Sequence, residues 1–187
     1  DIAQVHQHMS MEVAGRIIEE FNQTVQDGTL MLIGGEPLVN WRVVRRFVEE
    51  AAGNKLLFTN GTLVTDDIAR FLARPDVTVC VSLDGMRTDD AHRVYANGQQ
   101  TYDDALRGFY KLKERGAKTA ITCLATNANV TRLPEILEHF IRELQPDAIG
   151  ISMPHFTAHG KAALDVDKYA VSLIELFALA KQYRLHI

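Results

Sequence analysis

The chain has 187 residues, of which 47% are hydrophobic and 24% are charged, and its formal net charge is -4 at pH 7. This length and composition predict one soluble globular domain over residues 1–187, with a buried core. The acidic balance argues against a nucleic-acid partner, which would require a basic face. No apolar run approaches the roughly 20 residues that a membrane helix needs, so we expect no membrane partner.

The chain has two cysteines, Cys80 and Cys123. Two cysteines do not form a disulfide framework, and their use favours a reducing cytoplasm. They also cannot supply three thiolates to an iron–sulfur cluster. His155 and His159 have the spacing of two metal ligands on a helix, but Gly160 follows and indicates a loop, so we predict no metal site.

Apolar periodicity and end signals predict helices and strands in alternation. Ser10 begins a helix that runs to about Gln26, and Thr101 with Asp104 resembles a capping box. The other helices are predicted to begin at Asn40, Thr65 or Asp66, Thr131, and Asp165 or Asp167. The predicted strands are Leu30–Ile33, Lys55–Thr59, Val77–Asp84, Lys118–Leu124 and Asp147–Met153.

This alternation predicts an α/β fold with a parallel sheet and helical, right-handed crossovers. Every strand is expected to be buried. A closed or partial barrel and a doubly wound open sheet both fit the pattern, because periodicity does not separate them.

The first strand ends in the run Gly34-Gly35-Glu36-Pro37. Its unbroken apolar residues predict a strand buried on both faces. The glycines let the backbone turn and approach a ligand closely, and Pro37 pushes Glu36 towards an extended backbone. A carboxylate is therefore expected at the carboxyl end of the strand, where α/β folds bind ligands. The alternative is an ordinary turn with a solvated glutamate.

Polar residues follow the other strands too, and all of these loops are expected at one rim. The set suits a zwitterionic ligand, because Glu36 can accept from an ammonium group and Arg93 can fork onto a carboxylate. Ser82 and Asn60 can bond to ribose or carboxylate oxygens. Asp84 lies on the same strand face as Ser82, and it either contacts the ligand or anchors the Gly85 turn.

These motifs occur in an order and at intervals that resemble one enzyme family. The motifs are Gly34-Gly35-Glu36-Pro37, Thr59-Asn60-Gly61-Thr62, Ser82-Leu83-Asp84-Gly85, His92-Arg93 and the Asn127/Asn129 loop. The chain resembles radical S-adenosylmethionine (radical SAM) enzymes, especially the peptide and sulfatase maturases that carry a further cluster-binding domain (the SPASM type). The similarity covers about Ser10 to Met153.

The resemblance implies a partial TIM-type (β/α)6 barrel whose first strand and cluster loop are missing from this chain. It implies that Gly34, Gly35, Glu36 and Pro37 hold the amino group of S-adenosylmethionine. Ser82 and Arg93 would contact its ribose and carboxylate, although the spacing before Arg93 differs from the family pattern. Its adenine would lie near Met153.

The resemblance further implies an oxidoreductase that modifies a peptide or protein side chain through hydrogen abstraction by a 5′-deoxyadenosyl radical. The family holds a [4Fe–4S] cluster with a CxxxCxxC loop, which this chain lacks, so we expect an inactive fragment of an active parent protein. The catalytic residues stay unassigned. Two alternatives are a different parallel-barrel enzyme, such as a phosphate-binding one, and a non-catalytic barrel that acts as a scaffold or peptide-binding module.

The missing first strand would leave the edge of Leu30–Ile33 open. We expect Asp1–His8 or a second copy of the chain, in a dimer, to cover that edge.

Overall fold

The computed structural model describes residues 8–25, 27–90, 92–154 and 164–183. Within these ranges the chain forms one parallel sheet with helices between its strands. The strands are β1 (Thr29–Leu32), β2 (Asn54–Thr59), β3 (Val77–Ser82), β4 (Lys118–Leu124) and β5 (Ala148–Ser152). The helices are α1 (Met11–Thr24), α2 (Trp41–Glu50), α3 (Asp66–Leu72), α4 (Tyr102–Glu114), α5 (Leu133–His139) and α6 (Val166–Tyr183).

The strand order is β1-β2-β3-β4-β5, and every neighbouring pair is parallel. A doubly wound sheet reverses its strand order at a switch point, whereas a barrel adds each strand beside the previous one. The order therefore resolves the choice that periodicity left open. The fold is a partial TIM-type barrel of the α/β class.

The core lies between the sheet and the helices. On β2, β3 and β4 the helix-facing side chains of Leu57, Val79 and Ile121 are fully buried. The helices contribute Phe109 from α4 and the equally buried Phe140. These side chains account for much of the apolar surface that folding removes from water, so this face of the sheet stabilises the domain.

On the opposite, concave face, the middle of β3, β4 and β5 carries smaller side chains. Because side chains alternate along a strand, the register that pairs Ser82 with Thr122 and Thr122 with Gly150 places all three on this face. Ser82 and Thr122 are half-buried.

The prediction that the first strand is buried on both faces is wrong. Met31 is 52% exposed and Ile33, just after β1, is 63% exposed. The reason is that β1 lies at the edge of the sheet, and its concave-side residues are not covered by the described part of the chain. Residues 1–7 lie outside the described residues, so the predicted cover by Asp1–His8 and the predicted dimer stay predictions.

Several helix ends agree with the sequence signals. Ser10 Oγ accepts from Val13 N at 3.2 Å, Thr65 Oγ1 accepts from Ile68 N at 3.3 Å, and Asp165 Oδ1 accepts from Lys168 N at 3.1 Å. Each bond satisfies a backbone donor that the first turn leaves free.

Two predicted caps are wrong. Asn40 precedes α2, but its amide donates to the carbonyl of Met9, because a short 3-10 helix (Pro37–Asn40) runs directly into α2. Thr101 precedes α4, but its hydroxyl donates to the carbonyl of Arg93, and Asp104 accepts from Tyr95. Loop contacts therefore replace the expected capping box.

No helix in the described ranges has both the length and the apolar character needed to cross a membrane. The histidines at 155 and 159 fall outside the described residues.

Candidate functional site

The loops at the carboxyl ends of the strands are joined by hydrogen bonds along one rim. Glu36, after β1, accepts from the backbone N–H of Asn60, after β2, at 2.7 Å. Asp84, after β3, accepts from the backbone N–H of Leu124, at the end of β4, at 2.8 Å. Asn127, after β4, accepts from the backbone N–H of Asp165, before α6, at 2.8 Å. The structure thus brings the polar residues of these loops together.

Glu36 is held by three protein donors. Its Oε1 accepts from Leu38 N at 3.0 Å and from Thr59 Oγ1 at 2.8 Å, while Oε2 accepts the Asn60 N–H. Glu36 also caps the 3-10 helix that begins at Pro37. The carboxylate therefore fixes the turn after β1 against the turn after β2, which sequence reasoning did not foresee.

Gly34 and Gly35 are exposed beside this carboxylate. A Cβ added to either glycine would meet no heavy atom within 4 Å. The backbone groups of this turn are thus open to a ligand, and a side chain here would occupy the space that the ligand needs.

Asn60 and Ser82 offer different polar groups to the same concave side. Asn60 Oδ1 accepts from Thr62 N at 3.0 Å and from Thr62 Oγ1 at 2.8 Å, so its carbonyl oxygen serves the turn after β2. In the described part of the chain, the half-buried Ser82 hydroxyl has no protein hydrogen-bond partner. Thr122, which pairs with Ser82 from the adjacent strand β4, was missed by sequence reasoning because no motif includes it.

Arg93 forks onto a carboxylate of the protein. Its Nε donates to Asp84 Oδ2 at 2.8 Å and its Nη2 donates to Asp84 Oδ1 at 2.9 Å. Asp84 is 5% exposed and also accepts the Leu124 N–H. The fork that we predicted for a ligand carboxylate is therefore occupied by Asp84. The Nη1 group of Arg93 has no hydrogen-bond partner among the described residues.

Further buried polar residues surround this ion pair. Asn129, 1% exposed, donates from Nδ2 to the carbonyls of Asp84 and Leu124, at 2.9 Å each, and its Oδ1 accepts from Thr126 N at 2.7 Å. The amide thereby fastens the loop after β4 to the end of β3. The Asn127/Asn129 motif pointed to this loop but not to the buried partners of Asn129.

Asp90 is fully buried, at 0% exposure. Its Oδ1 accepts from Asp84 N at 2.8 Å and lies 3.5 Å from Arg93 Nε, whereas its Oδ2 has no partner among the described residues. Desolvation, together with the nearby charge of Asp84, raises the pKa of Asp90 to about 6. Its neighbour Asp89 pairs with Arg132 at 2.5 Å. Sequence reasoning named Asp84 and Arg93 but missed Asp90 as a member of this cluster.

The remaining predicted residue, Met153, follows β5 and is 53% exposed. Cys80 and Cys123 are both buried, on opposite faces of the sheet. Burial raises the pKa of Cys80 to about 11 and also raises the pKa of Cys123, so neither is a ready thiolate ligand. In the described ranges, no three His, Cys, Asp or Glu side chains are grouped to hold a metal ion. These residues fit a small polar ligand and do not fit an iron–sulfur cluster.

Comparison with known proteins gives this geometry its context. The family model of the radical SAM superfamily matches residues 4–140. An uncharacterized protein of Methanocaldococcus jannaschii is 32% identical over 119 residues, which are 60% of this chain and 42% of that protein. The radical SAM cyclopropyl synthase TigE of Paramaledivibacter caminithermalis is 24% identical over 146 residues, which are 75% of this chain and 30% of TigE.

Solved structures share the fold. Native anSMEcpe with bound AdoMet and the Kp18Cys peptide has a TM-score of 0.79 and 20% identity, over 93% of this chain and 52% of that chain. Streptococcus suis SuiB bound to S-adenosylmethionine has a TM-score of 0.78 and 15% identity, over 97% of this chain and 44% of that chain. The chain therefore spans about half or less of the length of these relatives.

The family model covers well over half of the chain. The chain belongs to the radical SAM superfamily.

Proposed function

We propose that this chain is the S-adenosylmethionine-binding core of an enzyme that modifies a peptide or protein side chain. The observation that carries the proposal is the rim itself. An open glycine turn lies there with two polar groups, the Ser82 hydroxyl and Arg93 Nη1, that have no partner among the described residues. Hydrogen bonds between the loops hold these groups in place.

Each group has a role that suits its chemistry. The exposed backbone at Gly34 and Gly35 receives the ammonium group, and Glu36 with Pro37 keeps that turn in position. Arg93 offers Nη1 to the carboxylate. Ser82 and the side-chain amide of Asn60 are suited to ribose or carboxylate oxygens.

The adenine would lie beyond β5, towards Met153. Gly150, on the concave face, leaves room for such a ring, because a Cβ added there would meet no heavy atom within 4 Å. The concave side chains of Ser82, Ala120 and Thr122 are small, so a ligand can lie along this part of the sheet.

In the whole protein, an iron–sulfur cluster would supply one electron for cleaving S-adenosylmethionine into methionine and the 5′-deoxyadenosyl radical that abstracts hydrogen. The described residues do not fit such a cluster. The part of this chain is to bind and orient S-adenosylmethionine. A [4Fe–4S] cluster and the catalytic residues would belong to other parts of the whole protein.

A peptide or protein substrate is supported by the neighbours, since native anSMEcpe was solved with the Kp18Cys peptide. The concave face agrees with such a partner, because Met31 and Ile33 expose apolar surface on the same side of the sheet as the polar rim. An extended peptide could cover this apolar surface while its reacting side chain points to the rim.

The test is binding of S-adenosylmethionine, measured by isothermal titration calorimetry on this chain and on the whole protein that contains it. We expect saturable binding, and Ser82→Ala should weaken it several-fold because one hydrogen bond is lost. Thr24→Ala removes an exposed hydroxyl at the end of α1 and should leave binding unchanged. No binding by the wild type in either form would contradict the proposal and favour a barrel that serves as a scaffold.

A further inference from the structure

Asp84 is placed differently from the other polar residues at the rim. Its Oδ1 accepts from Arg93 Nη2 and Leu124 N, and its Oδ2 accepts from Arg93 Nε, all at 2.8 to 2.9 Å. Its side chain is 7% exposed. Both oxygens accept hydrogen bonds from the protein and little of the side chain contacts solvent, so Asp84 is poorly placed to accept from a ligand.

The guanidinium of Arg93, by contrast, is more accessible. Its side chain is 26% exposed, and two of its three nitrogens are used by Asp84. A bidentate pair fixes the plane of a guanidinium as well as its position, because both N–H bonds must stay parallel. The direction of the remaining Nη1 group is thereby set by Asp84.

The backbone of Arg93 is fixed as well. Its N–H donates to the carbonyl of Asp90 at 3.0 Å, and its carbonyl accepts from Thr101 N at 3.0 Å and Thr101 Oγ1 at 3.1 Å. Asn129 in turn holds the carbonyl of Asp84. Both ends of the ion pair are therefore anchored independently of any ligand.

We infer that Asp84 is a positioning residue, which orients Arg93 so that Nη1 meets the carboxylate of S-adenosylmethionine, and that Asp84 makes no contact with that ligand. The inference rests on the proposed function. The sequence left two roles open for Asp84, ligand contact and turn anchoring, and this third role replaces both.

The ligand test is a double-mutant cycle on S-adenosylmethionine affinity, with Asp84→Asn and Arg93→Lys. The Asp84→Asn side chain would keep one oxygen for Leu124 N but turn an amide N–H₂ towards Arg93 Nε, so the fork opens. We expect this substitution to weaken binding about tenfold, the size of one charge-assisted hydrogen bond. In the Arg93→Lys background the same change should cost less than about twofold, because the fork is already gone.

The matched control is Asp89→Asn. It neutralises a neighbouring buried carboxylate of the same loop, which pairs with Arg132 and not with Arg93. It should leave the affinity within about twofold of the wild type. Losses from Asp84→Asn and Arg93→Lys that simply add would show that Asp84 acts on the ligand directly, and would overturn the inference. Should Asp84→Asn fail to fold, Asp84→Glu keeps the charge but displaces both oxygens, and enters the same cycle.

A second readout needs no ligand. The Nε–H of Arg93 should give a solvent-protected nitrogen-15 NMR signal in the wild type, and this signal should lose protection in Asp84→Asn but not in Asp89→Asn. If Asp84→Asn leaves it protected, Asp84 does not orient Arg93, whatever the protein binds. Failure of the wild type to bind S-adenosylmethionine instead counts against the proposed function and is seen separately.

Discussion

The loop after β1 and the loop after β3 each place a carboxylate at the same rim, in different surroundings. Glu36 is half-exposed, and its partners are two backbone N–H groups and one hydroxyl. Asp84 is 5% exposed, and its main partner is the guanidinium of Arg93. Water can replace the partners of Glu36, whereas nothing replaces a lost charge partner inside the protein. The loss of a partner should therefore cost less at Glu36 than at Asp84.

The largest expected effect comes from removing the cation of the buried cluster. Arg93→Gln leaves Asp84 and Asp90 buried without their positive partner, so we expect a loss of about 3–5 kcal/mol in the free energy of unfolding. Arg107→Gln, in an exposed pair with Asp104, should cost less than about 1 kcal/mol. Urea denaturation measures both. Equal losses for the two variants would show that burial does not distinguish these ion pairs.

A pH effect of about 3 kcal/mol is expected from Asp90. Its pKa is raised to about 6, so between about pH 4 and pH 6 the folded state binds more protons at this site than the unfolded state. This site therefore stabilises the fold below about pH 4, and its contribution is lost as the pH rises through 6. Asp90→Asn removes the titration and should gain stability relative to the wild type between about pH 4 and pH 7.

The measurement for Asp90 is the difference in unfolding free energy between wild type and Asp90→Asn across that pH range. The difference is needed because other groups titrate in the same range. Asp66 and Asp76 have lowered pKa values, so the protein loses their contribution to stability as the pH falls, in wild type and variant alike. Thr24→Ala, which removes no titratable group, is the control and should give a flat difference. A flat difference for Asp90→Asn as well would show that folding does not raise the pKa of Asp90.

The contrast between the two loops also shows what the sequence could predict. The alternation of elements was enough for the α/β class, and the parallel order was enough to gather the loop residues at one rim. These features depend on local pattern alone, and the structure has them.

The partners of the charged residues were beyond the sequence. Arg93 reaches Asp84 only because the intervening loop folds back, and no periodicity describes that path. The sequence did not show whether Arg93 would donate its two parallel hydrogen bonds to a ligand carboxylate or to Asp84. The exposed face of β1 was missed for a similar reason, since an apolar run does not show whether its strand is central or at an edge.

For the half-exposed loop we expect a smaller effect, about 1–2 kcal/mol, from Glu36→Gln. The amide keeps one oxygen for Leu38 N and Thr59 Oγ1, but its N–H₂ faces the Asn60 N–H, so two donors oppose each other. Thermal unfolding measures the change, with Glu49→Gln on the surface of α2 as a control that should cost less than about 0.5 kcal/mol. A loss as large as that of Arg93→Gln would erase the proposed difference between the loops.

The smallest stability effect is expected at Gly34, where an effect on ligand binding can be told apart from an effect on stability. Gly34→Ala adds a Cβ that meets no heavy atom within 4 Å, so the free energy of unfolding should stay within about 0.5 kcal/mol of the wild type. Gly108→Ala on α4 is the control, since its Cβ would collide with the backbone oxygen of Gly61 and should be strongly destabilising. If the turn after β1 exists to admit a ligand, Gly34→Ala should nonetheless weaken S-adenosylmethionine binding, because the methyl group fills the approach to the backbone. Unchanged stability with unchanged binding would mean that no ligand approaches this turn, whereas reduced binding at full stability ties the open glycines to ligand recognition alone.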